Sequence, residues 1–482
     1  MASKPKEDDE EEIPSSPLLS SLSFSMEINP SSLLHRVQFV VLVLLCYLLW
    51  LRLLFFVFSP ASPLPYSTAG LRPRPHQLAR SPETCDSDIA PFYIHRIHPR
   101  FNAALVGRCL SRLPSRDCSY VGHRGLGRPL LRLPGTPGDD VEGTAWYATH
   151  DSAAEMLFHA RAERHPCRTM DPEKATLFYV PFYAGLDAAA GSRQTNHTLR
   201  DALAVELAAY LYSLPSFHRH AGRDHLLAVG RPSGHFMRSP TRLDSGANRL
   251  LLLPEVSNMT ILTVERHPWE GHNQVGIPYP SFFHPRTVAE VAEWQAELRH
   301  FERTHLFAFV GGPALNSDKT ALRSRILNQC WRSDRCLPLQ CKPGTRDCND
   351  PDRVLDVMRR ANFCMQPPDE SFTRRSTFDS VLAGCIPVFF SEHSAYTQYE
   401  WYLPDQTETW SVLLKPEQWD RVEEELGRIP RAAVERMREE VIRLIPRLTY
   451  AHPDATRSEL GFRDAIDVAL VELTKRIGST LQ

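Results

Sequence analysis

The run Val37–Phe58, VQFVVLVLLCYLLWLRLLFFVF, constrains this chain more than any other stretch. Its 22 residues make a helix of about 33 Å, enough to cross a hydrocarbon core of roughly 30 Å. Arg52 is the one formal charge inside it. It lies close enough to the far end for its long side chain to snorkel to the interface. A buried helix of a soluble protein keeps a polar face, and this run has none, so the sequence predicts a transmembrane anchor. The run is also longer than the apolar core of a cleaved leader, and it starts only after 36 residues.

The anchor orders the rest of the chain. Residues 1–36 carry the acidic run Glu7 to Glu12 and read as a disordered tail on the cytoplasmic side. Residues 59–88 open with SPASPLPYSTAGLRPRP, an extended Pro-rich stem. Arg36 stands before the anchor and Arg72, Arg74 and Arg80 after it, so flanking charge does not set the orientation. Two other features point to a lumenal C-terminal body. The sequons Asn196-His197-Thr198 and Asn258-Met259-Thr260 lie beyond the anchor, as do ten of the eleven cysteines, all but Cys46. Lys and Arg number 55 against 57 Asp and Glu, a net charge of −2. That balance excludes a general nucleic-acid binder, which needs a basic surplus.

The remaining residues alternate short apolar runs with helical patterns, which predicts parallel βαβ units. Strand candidates are Ala175–Tyr183, His225–Gly230, Leu250–Leu253 and Thr260–Glu265, with a helix over Leu199–Leu214. The segment Gly276–Pro285, GIPYPSFFHP, reads as a boundary. A helix over Thr287–Arg303 follows, then strands at His305–Gly311, Asn362–Gln366 and Ile386–Phe390, and helices at Pro416–Leu426, Arg431–Ile445 and Phe462–Ile477. The expected architecture is α/β: two Rossmann-like domains, 89–286 and 287–482, facing a cleft. Cys330, Cys336, Cys341 and Cys348 lack the close pair of a zinc site, so disulfides stapling a loop are the better reading, with the pairing open.

The segment Gln366–Phe390, QPPDESFTRRSTFDSVLAGCIPVFF, carries the chemistry. A strand ends at Gln366, two prolines turn the chain, and a helix starts near Ser371 or Thr373, either of which can cap it. Arg374 and Arg375 then fall in the first turn, where the helix dipole disfavours cations by some tenths of a kcal/mol each. Two arginines there suit a docked diphosphate, with Ser376 alongside and Asp379 one turn on for a sugar hydroxyl. An Arg375–Asp379 surface pair worth about 0.3–0.5 kcal/mol explains the same residues equally well. Gly311-Gly312 after an apolar strand is a second phosphate-loop candidate, though a simple turn is the commoner meaning.

Residues 370–390 resemble the hallmark segment of the exostosin-type glycosyltransferases, and SAYTQYEWYLP at 394–404 is similar to the plant branch that holds the xyloglucan galactosyltransferases. VPFYAGLD at 180–187, RDALAVEL at 200–207, the GIPYPSFFHP segment and VIRLIPRLTY at 441–450 agree. Residues 310–315, VGGPAL, depart from the Ala-Pro-Arg ending of that family's loop. The resemblance implies a type II Golgi membrane enzyme of the GT-B fold. It implies UDP-galactose as donor, a xylosyl side chain of xyloglucan as acceptor, inversion to a β-linkage, and possible complexes with other wall-polysaccharide synthases. It places the nucleotide-sugar site on Arg374, Arg375, Ser376 and Asp379, and it implies no cofactor and no obligatory metal. The residues bear on the metal independently: Asp86-Ser87-Asp88 and Asp350-Pro351-Asp352 do not follow predicted strands, as a metal–diphosphate motif would.

Inversion requires a general base. The candidates are Asp187 after the Tyr-Ala-Gly turn, Glu265 after a strand, and Glu370 before the arginines. Two other functions fit the same residues: transfer of another UDP-sugar, such as galacturonic acid, or a non-catalytic membrane-anchored assembly subunit.

Overall fold

The computed structural model describes residues 39, 41–51, 84–111, 116–130, 144–191, 194–239, 246–312, 321–341, 347–368 and 371–480. In the unit formed by residues 1–80, Phe39 and Val41–Leu51 are helical. Among the described residues no helix is long and apolar enough to cross a membrane. Of the expected span 37–58, residues 37, 38, 40 and 52–58 lie outside them.

The unit from Ser81 onward contains two parallel sheets. The first sheet is built from β1 (Phe92–Ile94), β4 (Arg168–Thr169), β5 (Leu177–Val180), β6 (His225–Val229), β7 (Thr260–Thr263) and β8 (Gln274–Gly276). A short antiparallel pair, β2 (Arg128–Pro129) and β3 (Tyr147–Ala148), is inserted between β1 and β4. The second sheet contains β9 (His305–Gly311), β10 (Cys336–Gln340), β11 (Ala361–Gln366), β12 (Ile386–Phe389) and β13 (Val412–Leu413). Every residue of β5, β6, β7 and β12 is buried, as expected of parallel strands covered on both faces.

The strand orders are β4-β1-β5-β6-β7-β8 and β10-β9-β11-β12-β13. Counted in chain order within each sheet, both begin 2-1-3-4-5, so the two halves share one doubly wound topology. No sequence repeat reveals this, because the identity lies in the crossovers rather than in the side chains. The order reverses between β1 and β5 in the first sheet and between β9 and β11 in the second. Ligands of such sheets bind at the strand carboxyl ends near these reversals.

Three expected elements differ. Leu250–Leu252 forms a 3₁₀ turn, not a strand. Its three leucines precede Pro254, which starts the short helix Pro254–Ser257 at once. The 416–426 helix is split into a 3₁₀ turn, Pro416–Gln418, and a helix, Val422–Gly427. The Gly276–Pro285 segment crosses from the first sheet to the second, but it is no exposed hinge: Ile277, Tyr279, Phe282, Phe283 and His284 are all buried. Gly276 is needed for close approach, since a Cβ there would lie 2.1 Å from the Gln398 carbonyl oxygen.

The C-terminal helix Ala465–Thr480 packs back against the first half. Thr474 Oγ1 accepts from Ala90 N at 2.9 Å. Two buried ion pairs, Arg161–Asp464 at 3.2 Å and His165–Asp467 at 2.9 Å, hold the start of this segment to the helix Ala154–Ala162 and the residues after it. All ten cysteines beyond the anchor pair as Cys85–Cys167, Cys109–Cys118, Cys330–Cys336, Cys341–Cys348 and Cys364–Cys385. The disulfide reading of the 330–348 cluster is therefore the one adopted, as two small loops rather than one long staple.

Candidate active site

Strand ends of both halves meet at a cavity of about 450 Å³. From the first half come Asp151, Arg231 and His235, and from the crossing segment comes Tyr279. The second half contributes Val310, Cys341, Cys348, Arg374, Arg375, Ser376 and Asp379. A hollow of about 520 Å³ lies beside Gln274, Trp401 and Lys475. It is larger, but it is lined by the β8 edge and the last helix, away from both strand-order reversals.

The helix after β11 runs Arg375–Leu382. Its apolar face, Phe378, Val381 and Leu382, is buried, and Gly384 (φ 62°) turns the chain out of it. Its start differs from the expectation. Arg374 is the N-cap residue, in extended conformation, and no side chain caps the helix. Ser371 and Thr373 are engaged elsewhere: the Ser371 hydroxyl, the Thr373 hydroxyl and the Thr373 N–H all donate to Glu265 Oε2. A carboxylate from the first half thus holds the turn before the helix, and among the described residues no side chain caps the helix, whose first residues line the cleft. Such a terminus attracts anions through its free donors and its dipole.

Arg375 is held from several sides. Its Nε lies 3.2 Å from Asp379 Oδ2, its Nη1 donates to the Thr149 carbonyl of the first half at 2.7 Å, and its guanidinium carbon sits 3.7 Å from the Phe282 ring centroid. Its Nη2 is buried and has no hydrogen-bond partner. The expected i,i+4 pair exists, but side-chain exposures of 12% and 5% make it a buried pair. Breaking such a pair costs about 3–5 kcal/mol, ten times the surface figure. Asp379 also accepts from Ser281 Oγ at 2.5 Å. Burial pushes its carboxyl up, against the pull of Arg375 and Ser281. A guanidinium fixed this firmly keeps one N–H donor unspent.

The other expected site residues are placed as follows. Ser376 Oγ donates to Gln366 Oε1 at 2.5 Å, tying the helix to the end of β11. Gly311 ends β9 but does not line the cavity. A Cβ there would meet the Phe309 ring at 2.8 Å and Arg323 Nη2 at 3.2 Å, so packing accounts for the glycine. The loop after it, 313–320, lies outside the described residues, as does Glu370. Asp187 sits in the first turn of the helix Ala184–Gly191, outside the cavity lining. Burial pushes its carboxyl up to about 6, opposed by Arg108 and by the nearby Asn248 side chain. Glu265 is committed to the three donors just described.

Asp151 is the lining carboxylate that the sequence reading missed, along with Arg231, His235 and Tyr279. It follows β3 in the Thr149–Ser152 turn, with His150 Nδ1 2.8 Å from its Oδ1 and Ser152 Oγ donating to it at 3.1 Å. Burial pushes its carboxyl up, but His150 and Arg375 together outweigh that and hold it well below the usual range. His235 also lines the cavity, and burial beside Arg231 keeps its ring neutral by lowering its pKa. One signal for Asp151 was present: a His-Asp-Ser triplet directly before an apolar helix.

Both Asp-x-Asp candidates serve structure. Asp86 pairs with Arg457 and Arg463, and Asp88 with Arg463. Asp350 caps the helix Pro351–Arg359, accepting from Asp352 N at 3.2 Å.

The chain is 48% identical over 399 residues to the probable xyloglucan galactosyltransferase GT17 of Arabidopsis thaliana, across 83% of this chain and 85% of that protein. It is 37% identical over 438 residues to the xyloglucan galactosyltransferase MUR3 of the same plant, across 87% and 69% respectively. The solved GtfA/B complex aligns with a TM-score of 0.28 at 9% identity, over 57% of this chain and 61% of that chain, a likeness too slight to carry an argument. The Exostosin GT47 domain matches residues 90–429. Every residue lining the cleft falls within that stretch, and the chain belongs to the exostosin GT47 family.

Proposed function

We propose that this chain is a GT-B-type glycosyltransferase that moves galactose from UDP-galactose onto xylosyl side chains of xyloglucan, with inversion to a β-linkage. The observation that carries the reading is the uncapped Arg375–Leu382 helix, whose first residues line the cleft, with the buried Nη2 of Arg375 left without a hydrogen-bond partner. A UDP diphosphate meets both needs: it accepts from the free N–H groups and from the guanidinium. Its charge grows as the glycosidic bond breaks, so the same contacts stabilise the transition state more than the bound donor. Asp379 and the Thr149 carbonyl orient the guanidinium. Glu265 acts as a positioning residue, locking the turn that delivers Arg374 and Arg375.

Asp151 is our choice for the general base. It lines the cleft from the first half, where its carboxylate is placed to accept the xylosyl hydroxyl's proton. Asp187 and Glu265 are weaker choices, one outside the lining and the other saturated with donors. The reaction proceeds without an obligatory metal: Asp86 and Asp88 are held in ion pairs, Asp350 caps a helix, and Arg375 with the helix terminus offsets the leaving charge. Activity should accordingly persist in EDTA.

The chain is a type II Golgi membrane protein with a lumenal body. The apolar run 37–58 supports this, together with the exposed Asn196 and Asn258 of the sequons and the five disulfides of an oxidising compartment. Incubating the enzyme with a panel of UDP-sugars and xyloglucan oligosaccharides, read by mass spectrometry, tests the assignment. Addition of a single hexose from UDP-galactose is expected. Preference for UDP-galacturonic acid, or no transfer from any donor, would overturn it.

A further inference from the structure

An exposed aromatic cluster lies beside the cleft mouth, and the donor site does not use it. Trp269 is 65% exposed, an unusual state for the largest side chain unless it meets a ligand. Its ring centroid lies 6.0 Å from Phe372 and 5.8 Å from His393, both edge-on, and Phe372 and His393 are 5.3 Å apart. The three residues come from different places: the loop after β7, the turn before the donor helix, and the turn after β12. All three follow strand carboxyl ends, the edge on which ligands of such sheets bind.

The cluster is held in place. Phe372 sits between Ser371 and Thr373, both of which line the cleft and both of which are tethered to Glu265. The Trp269 loop is braced by His267, whose Nδ1 accepts from Glu270 N at 3.0 Å and whose own N–H donates to Gln274 Oε1 at 2.8 Å. Edge-to-face packing leaves ring faces open instead of stacking them away. Histidine and tryptophan each pair an apolar ring with a polar N–H, which suits a ligand with both C–H faces and hydroxyls better than a wholly apolar protein partner.

We infer that Trp269, Phe372 and His393 form an acceptor subsite that stacks a pyranose ring of the neutral polysaccharide chain while its reacting hydroxyl lies in the cleft. This rests on the glycosyltransferase reading and adds the location of the acceptor's backbone. Residues 371 and 373 belong to the donor cleft, so the platform is one residue away from it. A sugar chain leaving the cleft toward the first half runs over these rings.

The test uses the full chain in detergent, as wild type, Trp269→Ala and Trp269→Tyr. Affinity electrophoresis in gels containing xyloglucan measures acceptor binding without turnover. Kinetics with UDP-galactose and xyloglucan, and UDP titration, measure the rest. Trp269→Ala should weaken xyloglucan binding and raise its KM by roughly tenfold, the upper end of an aromatic stacking contact. Its kcat, UDP affinity and thermal midpoint should be unchanged, and Trp269→Tyr should recover most of the loss. Unchanged xyloglucan affinity in Trp269→Ala overturns the subsite and leaves a protein-docking role for the cluster. An equal loss of UDP affinity also overturns it, by assigning the rings to the donor. A wild type that binds xyloglucan through Trp269 but transfers no galactose would refute the transfer reading and leave the subsite standing.

Discussion

The two halves share one strand order, and each places a helix after its third strand, yet the two helix N-termini are treated in opposite ways. In the first half the helix Ala184–Gly191 follows β5. Its N–H groups at Gly185 and Leu186 donate to the Glu155 carboxyl at 2.8 and 3.1 Å, and Gly230 N adds a third bond at 3.2 Å. In the second half the Arg375–Leu382 helix follows β11, has no side-chain cap, and carries an arginine with an unpartnered nitrogen. One terminus is satisfied by the chain's own carboxyl and the other is left for a ligand. The shared fold offers two such helix termini, and a single buried glutamate fills the one in the first half.

The largest effect should come from separating the contributions of the halves. Asp151→Asn removes the proposed base of the first half and should lower turnover by 10²–10⁴-fold. UDP affinity, set by the second half, should stay within a few-fold of wild type by calorimetry. Parallel loss of both would mean that the division of labour is wrong.

The next effect concerns Glu155. Burial pushes its carboxyl up to about 7, against the pull of its three N–H donors and Arg231. The folded chain therefore holds a proton that the unfolded chain releases near its ordinary 4.5. Stability should fall as pH rises across that window, by about 3 kcal/mol in all. Glu155→Gln should abolish that slope in thermal midpoints measured from pH 4.5 to 7. An unchanged slope would show that another group carries it.

The smallest effect comes from making the second half resemble the first. Arg374→Asp supplies the missing cap and should stabilise the ligand-free protein by about 1 kcal/mol, seen as a raised midpoint. The same change should weaken UDP binding by filling its donors.

Much of this was legible in the sequence where one local rule acts. The βαβ alternation, the strand His305–Gly311 and the helix that begins at Val288 follow from residue period alone. The arginines at the helix start were visible because cations there oppose the dipole. What stayed hidden depends on long-range partners. Ser371 and Thr373 look like caps in sequence, but Glu265, over a hundred residues earlier, takes their donors. Arg375 reads as half of a surface pair until Phe282 and Thr149 close over it. Asp151 reads as a loop residue until the halves meet. Glu155, inside an apolar helical run, gives no sign that it fills the neighbouring helix.

The central claim is that the second-half helix terminus and Arg375 bind the donor diphosphate. Arg375→Ala alone would leave Asp379 buried and unpaired, so the decisive variant is Arg375→Ala with Asp379→Asn. Titrating UDP into this variant and the wild type by calorimetry tests the claim most directly. Loss of a charge-assisted contact of about 1.5–3 kcal/mol should weaken binding by at least tenfold, with the ligand-free thermal midpoint within a few degrees of wild type. UDP affinity equal to wild type in a folded double variant would contradict it and place the donor elsewhere.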